Sequence, residues 1–127
     1  MESQIDQGLA TERHVKDLFE DQGYEVTIDD SWYDLRIKKG KIQKLIEIKS
    51  TNLVLNNGYQ TTRYGRFDFT EIKNRRLQRK HNVDICFVVC VGDCFQVIGL
   101  IKARTLRAKR YVSLADIMTK RNTKTIS

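Results

Sequence analysis

Apolar residues recur at helical spacing near the start of the chain and alternate with polar residues after it. One apolar stripe runs along residues 4–22, and Gly23 follows as a residue suited to end a helix. The stripe consists of Ile5, Leu9, Val15 and Phe19. Three alternating segments separated by short turns then predict strands over residues 24–28, 33–38 and 42–50. The pattern predicts a helix followed by an antiparallel meander of three strands.

The second half of the chain carries the same two periodicities in a different order. Residues 51–66 are polar and contain several Asn and Gly, so we expect a loop or ribbon there and a short strand over residues 66–69. The remaining pattern predicts a helix over residues 71–81, a buried strand over 84–91 and its hairpin partner over 94–101. Ser113, with Asp116 three residues later, is typical of the start of a short last helix. We therefore expect an α/β fold with a mixed central sheet flanked by helices, in the order helix, three strands, helix, two strands.

The composition is that of a small basic protein with one hydrophobic core. Its 127 residues match the usual length of one domain, so we expect a single domain over residues 1–127, with a frayed tail over 120–127. No apolar run reaches the roughly 20 residues of a membrane span, and the start of the chain lacks the features of a secretory signal. Three closely spaced cysteines without a CxxC motif argue against a disulfide framework and a zinc site, and favour reduced, buried thiols in a cytoplasmic protein.

The net charge of +7 hides a strong asymmetry along the chain. Residues 1–34 hold ten acidic and two basic side chains, a net charge of −8, whereas the remainder carries +15. Two dense basic clusters lie within residues 73–80 and 102–110. A polyanion is the natural partner of such a surface, and nucleic acid is the commonest polyanion. The alternative is a solubilising surface without a partner, and charge alone leaves the two readings level.

Several ionisable side chains occupy positions that a core would normally fill with apolar ones. At 100° per residue, Glu12 falls about 20° from Ile5, inside the apolar stripe of the first helix. Glu47 and Lys49 share one face of the third strand, and a tight turn brings that strand beside the one that holds Asp34. We therefore expect Asp34 and Glu47 to approach each other, with Lys49 one step along the strand.

Two carboxylates this close repel each other, and a divalent cation removes that conflict. Oxygen ligands favour Mg²⁺ or Mn²⁺ over zinc, and Lys49 could hold an attacking water or neutralise a phosphate. A cluster of this kind in a basic protein suits metal-assisted hydrolysis of a phosphodiester. The alternative is a set of ordinary ion pairs, in which Glu12 is neutralised by Arg13, Arg36 or Lys49.

The motif that these residues form resembles that of the PD-(D/E)xK nuclease superfamily, and within it that of the archaeal Holliday junction resolvases. The motif consists of Gly8 and Glu12-Arg13, then Asp34, then Glu47-Ile48-Lys49, although Tyr33 stands where the superfamily often has a proline. The resemblance implies a restriction-endonuclease-like fold with Asp34, Glu47 and the backbone carbonyl of Ile48 as metal ligands. It also implies that Lys49 is the catalytic lysine and that Glu12 is an acid in or next to the metal's ligand shell.

A DNA endonuclease acting on branched DNA, built as a homodimer, is our leading interpretation. We expect DNA contacts from Arg13, Ser50, Arg63, Tyr64, Arg66, Lys73 and Arg76. Gln78 lies on the second helix, where nucleases of the resembled superfamily often present a polar residue toward the site, but we expect its side chain to be exposed to solvent. The alternatives are a restriction-type, repair or mobile-element nuclease of the same superfamily, and a non-catalytic nucleic-acid-binding module.

Overall fold

The computed structural model describes residues 4–52, 55–56, 59–60, 66–69, 71–91, 94–106, 111–113 and 117. The helices are α1 (Gln4–Asp21), α2 (Ile72–Lys80) and a short 3-10 helix (Ala103–Thr105). The strands are β1 (Glu25–Ile28), β2 (Leu35–Lys39), β3 (Ile42–Asn52), β4 (Leu55–Asn56), β5 (Tyr59–Gln60), β6 (Arg66–Asp68), β7 (Asp84–Val91), β8 (Cys94–Lys102) and β9 (Tyr111–Ser113).

Five strands form a central mixed sheet in the order β1-β2-β3-β7-β8. All neighbours are antiparallel except β3 and β7, which run parallel and are connected through α2. Two small antiparallel pairs, β4 with β5 and β6 with β9, lie outside this sheet. The expected mixed sheet with flanking helices, and the order of its main elements, are therefore confirmed.

Strand β7 lies in the middle of the core because both of its faces are covered. Alternate side chains of a strand point to opposite faces. Cys86, Val88 and Cys90 pack with the α1 residues Val15 and Phe19. The other face contributes Ile85, Phe87 and Val89 to a second apolar cluster that also contains residues of β6, β8 and β9. The continuous apolar run that predicted a buried strand therefore results from packing against other elements on both faces of β7.

Some sequence expectations need correction. Leu9 leaves 58% of its surface exposed, and the buried side chains among the described ones of α1 are Thr11, Val15 and Phe19. Asp34 lies in a bend before β2 and not within the strand. Ser113 is the last residue of strand β9, which pairs with β6. The expected helix after it falls mostly outside the described residues and stays a prediction, with Ile117 as its one described helical residue. Of the three free cysteines, Cys94 is exposed and the other two are buried. No helix of the described residues is both long enough and apolar enough to cross a membrane.

Candidate active site

Asp34 is held between the start of β2 and the middle of β3. Its backbone N–H donates to the carbonyl of Ile46 at 2.9 Å, which extends the pairing of the two strands by one residue. Its carboxylate Oδ2 accepts a hydrogen bond from the backbone N–H of Ile48 at 2.8 Å. Because both contacts are to β3, the Asp34 carboxylate is fixed beside the segment that carries Glu47 and Lys49.

Glu47 is the most buried acid of the site, with 13% of its side chain exposed. Its carboxyl group forms a hydrogen bond with the Asp34 carboxyl and accepts another from Gln78 Nε2 at 2.8 Å. Burial, followed by the contact with Asp34, raises the pKa of Glu47 to about 8, although Lys49 and Gln78 act in the opposite direction. The expected approach of Asp34 to Glu47 is thus present, and the raised pKa favours the protonated form of Glu47 in the metal-free site.

Lys49 lies next to Glu47 in a partly buried position. Its Nζ is 3.9 Å from Glu47 Oε2, and 22% of the side chain is exposed. The same ammonium lies 4.9 Å from the centre of the Phe69 ring, which also packs against the guanidinium of Arg75 at 4.3 Å. An ion pair and an aromatic face therefore hold the lysine beside the carboxyl pair.

Glu12 reaches the same place from α1, on the other side of Asp34. One oxygen from each of Glu12, Asp30 and Asp34 lies within 4.8 Å of the other two. Burial, followed by the charges of Asp30 and Asp34, raises the pKa of Glu12. Asp30 has a φ of 44°, a left-handed conformation that Asp tolerates better than most residues. Among the described residues, the charged neighbours of Glu12 are carboxylates. Arg36 pairs with Asp29 and Lys49 with Glu47, which does not favour the ion-pair alternative.

A cleft of about 290 Å³ opens in front of this cluster. Its lining consists of Gly8, Leu9, Thr11, Glu12, Asp34, Ile48 and Ser50. The exposed side chain of Leu9 therefore forms part of a cleft wall and does not belong to the core. The cleft gives solvent and ligands a path to Asp34 and Glu12.

The donor set fits a hard divalent cation. Carboxyl oxygens converge from α1, from residues 29–34 and from β3, and two of the acids have raised pKa values because like charges or burial oppose their ionisation. A divalent cation relieves both effects, and oxygen donors are the ligands that Mg²⁺ and Mn²⁺ prefer. The acids that could hold it are Glu12, Asp30, Asp34 and Glu47.

The residues expected to contact DNA have different surroundings. Arg13, Lys73 and Arg76 are exposed, and Ser50 is exposed at the edge of the cleft. Arg63 and Tyr64 lie outside the described residues, as does the side chain of Arg66, whose backbone belongs to β6. Exposure permits a DNA contact but does not show one, so all seven expectations stay predictions.

Part of the basic sequence has a structural use that charge counting does not reveal. The guanidinium of Arg79 donates to the backbone carbonyls of Ala103 and Leu106, and that of Arg104 donates to the carbonyls of Arg79 and Lys80 at the end of α2. Arg75 is 7% exposed, and burial lowers its pKa. The exposed cations of the first basic cluster are therefore Lys73, Arg76 and Lys80.

Two residues of the site were missed or misread in the sequence. Gln78 is 1% exposed and contacts Glu47, so the expectation of an exposed side chain is wrong. Gln78 shares a helix face with Arg75, three residues earlier on α2, but the sequence contains no signal of this, because the burial of Arg75 is visible only in the structure. Asp30 was read only as part of a turn. Nothing in a single sequence separates it from its neighbour Asp29, which pairs instead with Tyr33 and Arg36.

Comparisons with known proteins place this geometry in context. A family profile described as PD-(D/E)XK nuclease superfamily domain matches residues 1–124. Hjc of Archaeoglobus fulgidus, described as a Holliday junction resolvase from an archaeal hyperthermophile, has a TM-score of 0.55 and 10% identity, with 87% of both chains covered. The bacterial homing endonuclease I-Ssp6803I has a TM-score of 0.56 and 17% identity, with 100% of both chains covered. A comparison with curated protein sequences found no match. At these identities the two structural likenesses concern the fold.

Proposed function

The chain belongs to the PD-(D/E)XK nuclease superfamily, and we propose that it is an endonuclease that hydrolyses DNA phosphodiester bonds with Mg²⁺ or Mn²⁺. The observation that carries the proposal is that Asp34, in the bend before β2, meets Glu47 and Lys49 of β3. An ordinary surface would separate these charges or pair each acid with its own base. Here two carboxyl groups are in contact, and one of them is buried.

The proposed cation ligands are the carboxylates of Asp34 and Glu47 and the backbone carbonyl of Ile48, with Glu12 in or next to the ligand shell. Bound there, the cation would lower the pKa of a water molecule and offset charge on the phosphate oxygens. Glu12 approaches Asp34 from the cleft side, so it is suited to orient a water or a ligand that enters from solvent. Asp30 is suited to the same task, because it shares that cluster.

We assign Lys49 as the catalytic lysine. Its ammonium is partly exposed and lies beside Glu47, so it is suited to contact a phosphate oxygen or an attacking water next to a cation held by that acid. A compact cation in a partly dehydrated site stabilises developing negative charge more strongly than one in bulk water. The contact with Phe69 limits the positions that the ammonium can take before substrate arrives.

The proposed substrate is branched DNA, with a four-way junction as the first candidate. The resolvase Hjc has a similar fold, and the arrangement of motif residues in this chain resembles that of the archaeal resolvases. The second candidate substrate is duplex DNA, as for a homing or restriction-type nuclease, because the fold of I-Ssp6803I is similar over the whole length of both chains. We further propose a single nuclease domain that acts as a homodimer in the cytoplasm, since one site cuts one strand and two strands need two sites.

The test is incubation of the purified protein with labelled four-way junction, duplex and single-stranded DNA, with Mg²⁺, Mn²⁺ or a chelator. We expect metal-dependent cleavage, strongest on the junction. Cleavage that persists in the Lys49→Ala or Glu47→Ala variant would refute the site assignment. A non-catalytic module would bind DNA in a salt-sensitive manner, without cleavage and without Mn²⁺ binding in calorimetric titration.

A further inference from the structure

We propose that Gln78 is a positioning residue, whose amide ties residues 29–34 to Glu47 and so sets the distance between the two sides of the cation site. We call residues 29–34 the acidic loop, because they contain Asp29, Asp30 and Asp34. This inference rests on the proposed function, since it concerns how the same site is assembled. It assigns a role to α2 that goes beyond its exposed basic side chains.

The hydrogen bonds of Gln78 define the tie. Its Nε2 donates to Glu47 Oε2 at 2.8 Å and to the backbone carbonyl of Trp32 at 2.8 Å. A primary amide has two N–H donors, so this nitrogen is fully used by one atom of β3 and one atom of the acidic loop. Both acceptors would lose their donor if the amide were reversed, so its orientation is fixed by the residues that it connects.

The other end of the amide indicates that packing alone does not explain this residue. Gln78 is 1% exposed, and its Oε1 is buried with no hydrogen-bond partner among the described residues. A buried acceptor without a partner is unfavourable, and an apolar side chain of the same size would avoid it. The two donated bonds are therefore what the amide contributes at this position.

The end of α2 also holds the acidic loop through an aromatic contact. The ring of Trp32 stacks on His81, which follows α2, with the ring centres 5.0 Å apart and the planes inclined by 34°. The loop is thus fixed to α2 by a backbone hydrogen bond and by a side chain, while Asp34 is fixed to β3. Gln78 joins these two anchors, so its loss would free both the Glu47 carboxyl and the loop that carries Asp30.

Calorimetric titration with Mn²⁺ tests the inference without relying on activity. We expect Gln78→Met to raise the Mn²⁺ dissociation constant about 10–100-fold, as is typical when a group that orients a metal ligand is removed. Gln78→Asn keeps the amide but is one methylene shorter, so we expect a value between those of the wild type and Gln78→Met. The matched control is Gln96→Met, exposed on β8, which should leave the constant unchanged.

A double-mutant cycle separates positioning from a general effect on folding. If Gln78 acts through Glu47, Gln78→Met should change the Mn²⁺ dissociation constant by less than about twofold in the Glu47→Ala background. A full additional effect in that background, or equal constants for wild type and Gln78→Met, would overturn the inference. Absence of Mn²⁺ binding by the wild type would overturn the proposed function instead.

Trp32 provides a second readout, because it is the single tryptophan of the chain. Its fluorescence therefore reports on the acidic loop alone. In the absence of metal, we expect Gln78→Met to shift the emission maximum to the red, since the indole becomes more accessible to water. An unchanged spectrum in a variant that is folded by circular dichroism would contradict the tie between the loop and α2.

Discussion

The two sides of the candidate site are built in different ways. The outer side, with Glu12, Asp30 and Asp34, faces the cleft and consists of acids brought together with few neutralising groups. The inner side, with Glu47 and Lys49, is largely buried and is supported by Gln78 and Phe69. The comparison indicates a division of labour. The outer side supplies charge that attracts a cation, and the inner side supplies fixed geometry.

Removing the inner side should have the largest effect on activity. We expect Glu47→Ala and Lys49→Ala each to reduce the rate of DNA cleavage by a factor on the order of 10³, because each removes a group that acts on the reacting phosphate or its cation. The measurement is single-turnover cleavage of a labelled junction at saturating Mg²⁺. The matched controls are Glu25→Ala on β1 and Lys38→Ala on β2, because both side chains are exposed and lie outside the candidate site. A loss of less than about tenfold would contradict the assigned roles.

The burial of Glu47 should be visible in stability as well. The raised pKa of about 8, against an ordinary value of 4.5, means that the folded state retains a proton that the unfolded state loses. The free energy of unfolding of the metal-free protein should therefore fall as pH rises from about 4.5 to about 8.

Glu47→Gln should remove that pH dependence and stabilise the metal-free protein at pH 7 by on the order of 1–3 kcal/mol, while abolishing activity. Urea unfolding with a chelator present, at several pH values, measures this effect. Glu25→Gln, a change at an exposed position, serves as the control. Equal pH dependence in wild type and Glu47→Gln would show that Glu47 ionises normally in the folded state.

Changes on the outer side should have smaller effects, because several acids share the same task there. We expect Asp30→Asn and Glu12→Gln each to raise the Mg²⁺ concentration for half-maximal cleavage by about three- to tenfold, with a smaller change in the maximal rate. A Mg²⁺ titration of cleavage separates the two quantities. Asp29→Asn, whose carboxylate pairs with Arg36, provides a neighbour that lies outside the cluster. If Asp30→Asn lowered the maximal rate and left the Mg²⁺ concentration for half-maximal cleavage unchanged, Asp30 would act like Glu47 and Lys49 and not like Glu12.

The smallest effects should come from single cations of α2. Lys73 and Arg76 are exposed, so we expect each alanine variant to reduce the slope of log affinity against log salt by about one, with little change in cleavage at low salt. Binding of a catalytically inactive background to labelled DNA at several salt concentrations gives the slope. An unchanged slope for both variants would show that Lys73 and Arg76 do not contact the DNA phosphates.

The sequence predicted the inner side of the site better than its supports. Alternation along β3 indicated that Glu47 and Lys49 share a face, and the turn before β3 indicated that Asp34 lies beside them. Gln78 could not be identified in this way, because its role depends on how α2 crosses the sheet between β3 and β7. That crossing also buries Arg75, which charge counting had assigned to the surface.

The strand pairing of β6 with β9 shows the same limit on a larger scale. Each strand has three residues, so neither shows a clear alternation, and their pairing joins segments far apart along the chain. The long apolar run of β7 was identified without difficulty, because burial on both faces leaves a signal in every residue. Local patterns thus predicted the central sheet, whereas contacts across long separations determined the small pair of strands outside it.

The most direct test of the central claim is Mn²⁺ titration of the metal-free protein by calorimetry at pH 7, in two buffers with different ionisation enthalpies. With its pKa raised to about 8, the Glu47 carboxyl is largely protonated at pH 7, and a cation bound to it must displace that proton. We expect binding with release of about one proton, and loss of that release in Glu47→Gln. Binding with no proton release, or no binding at all, would contradict a shared cation site at Asp34 and Glu47.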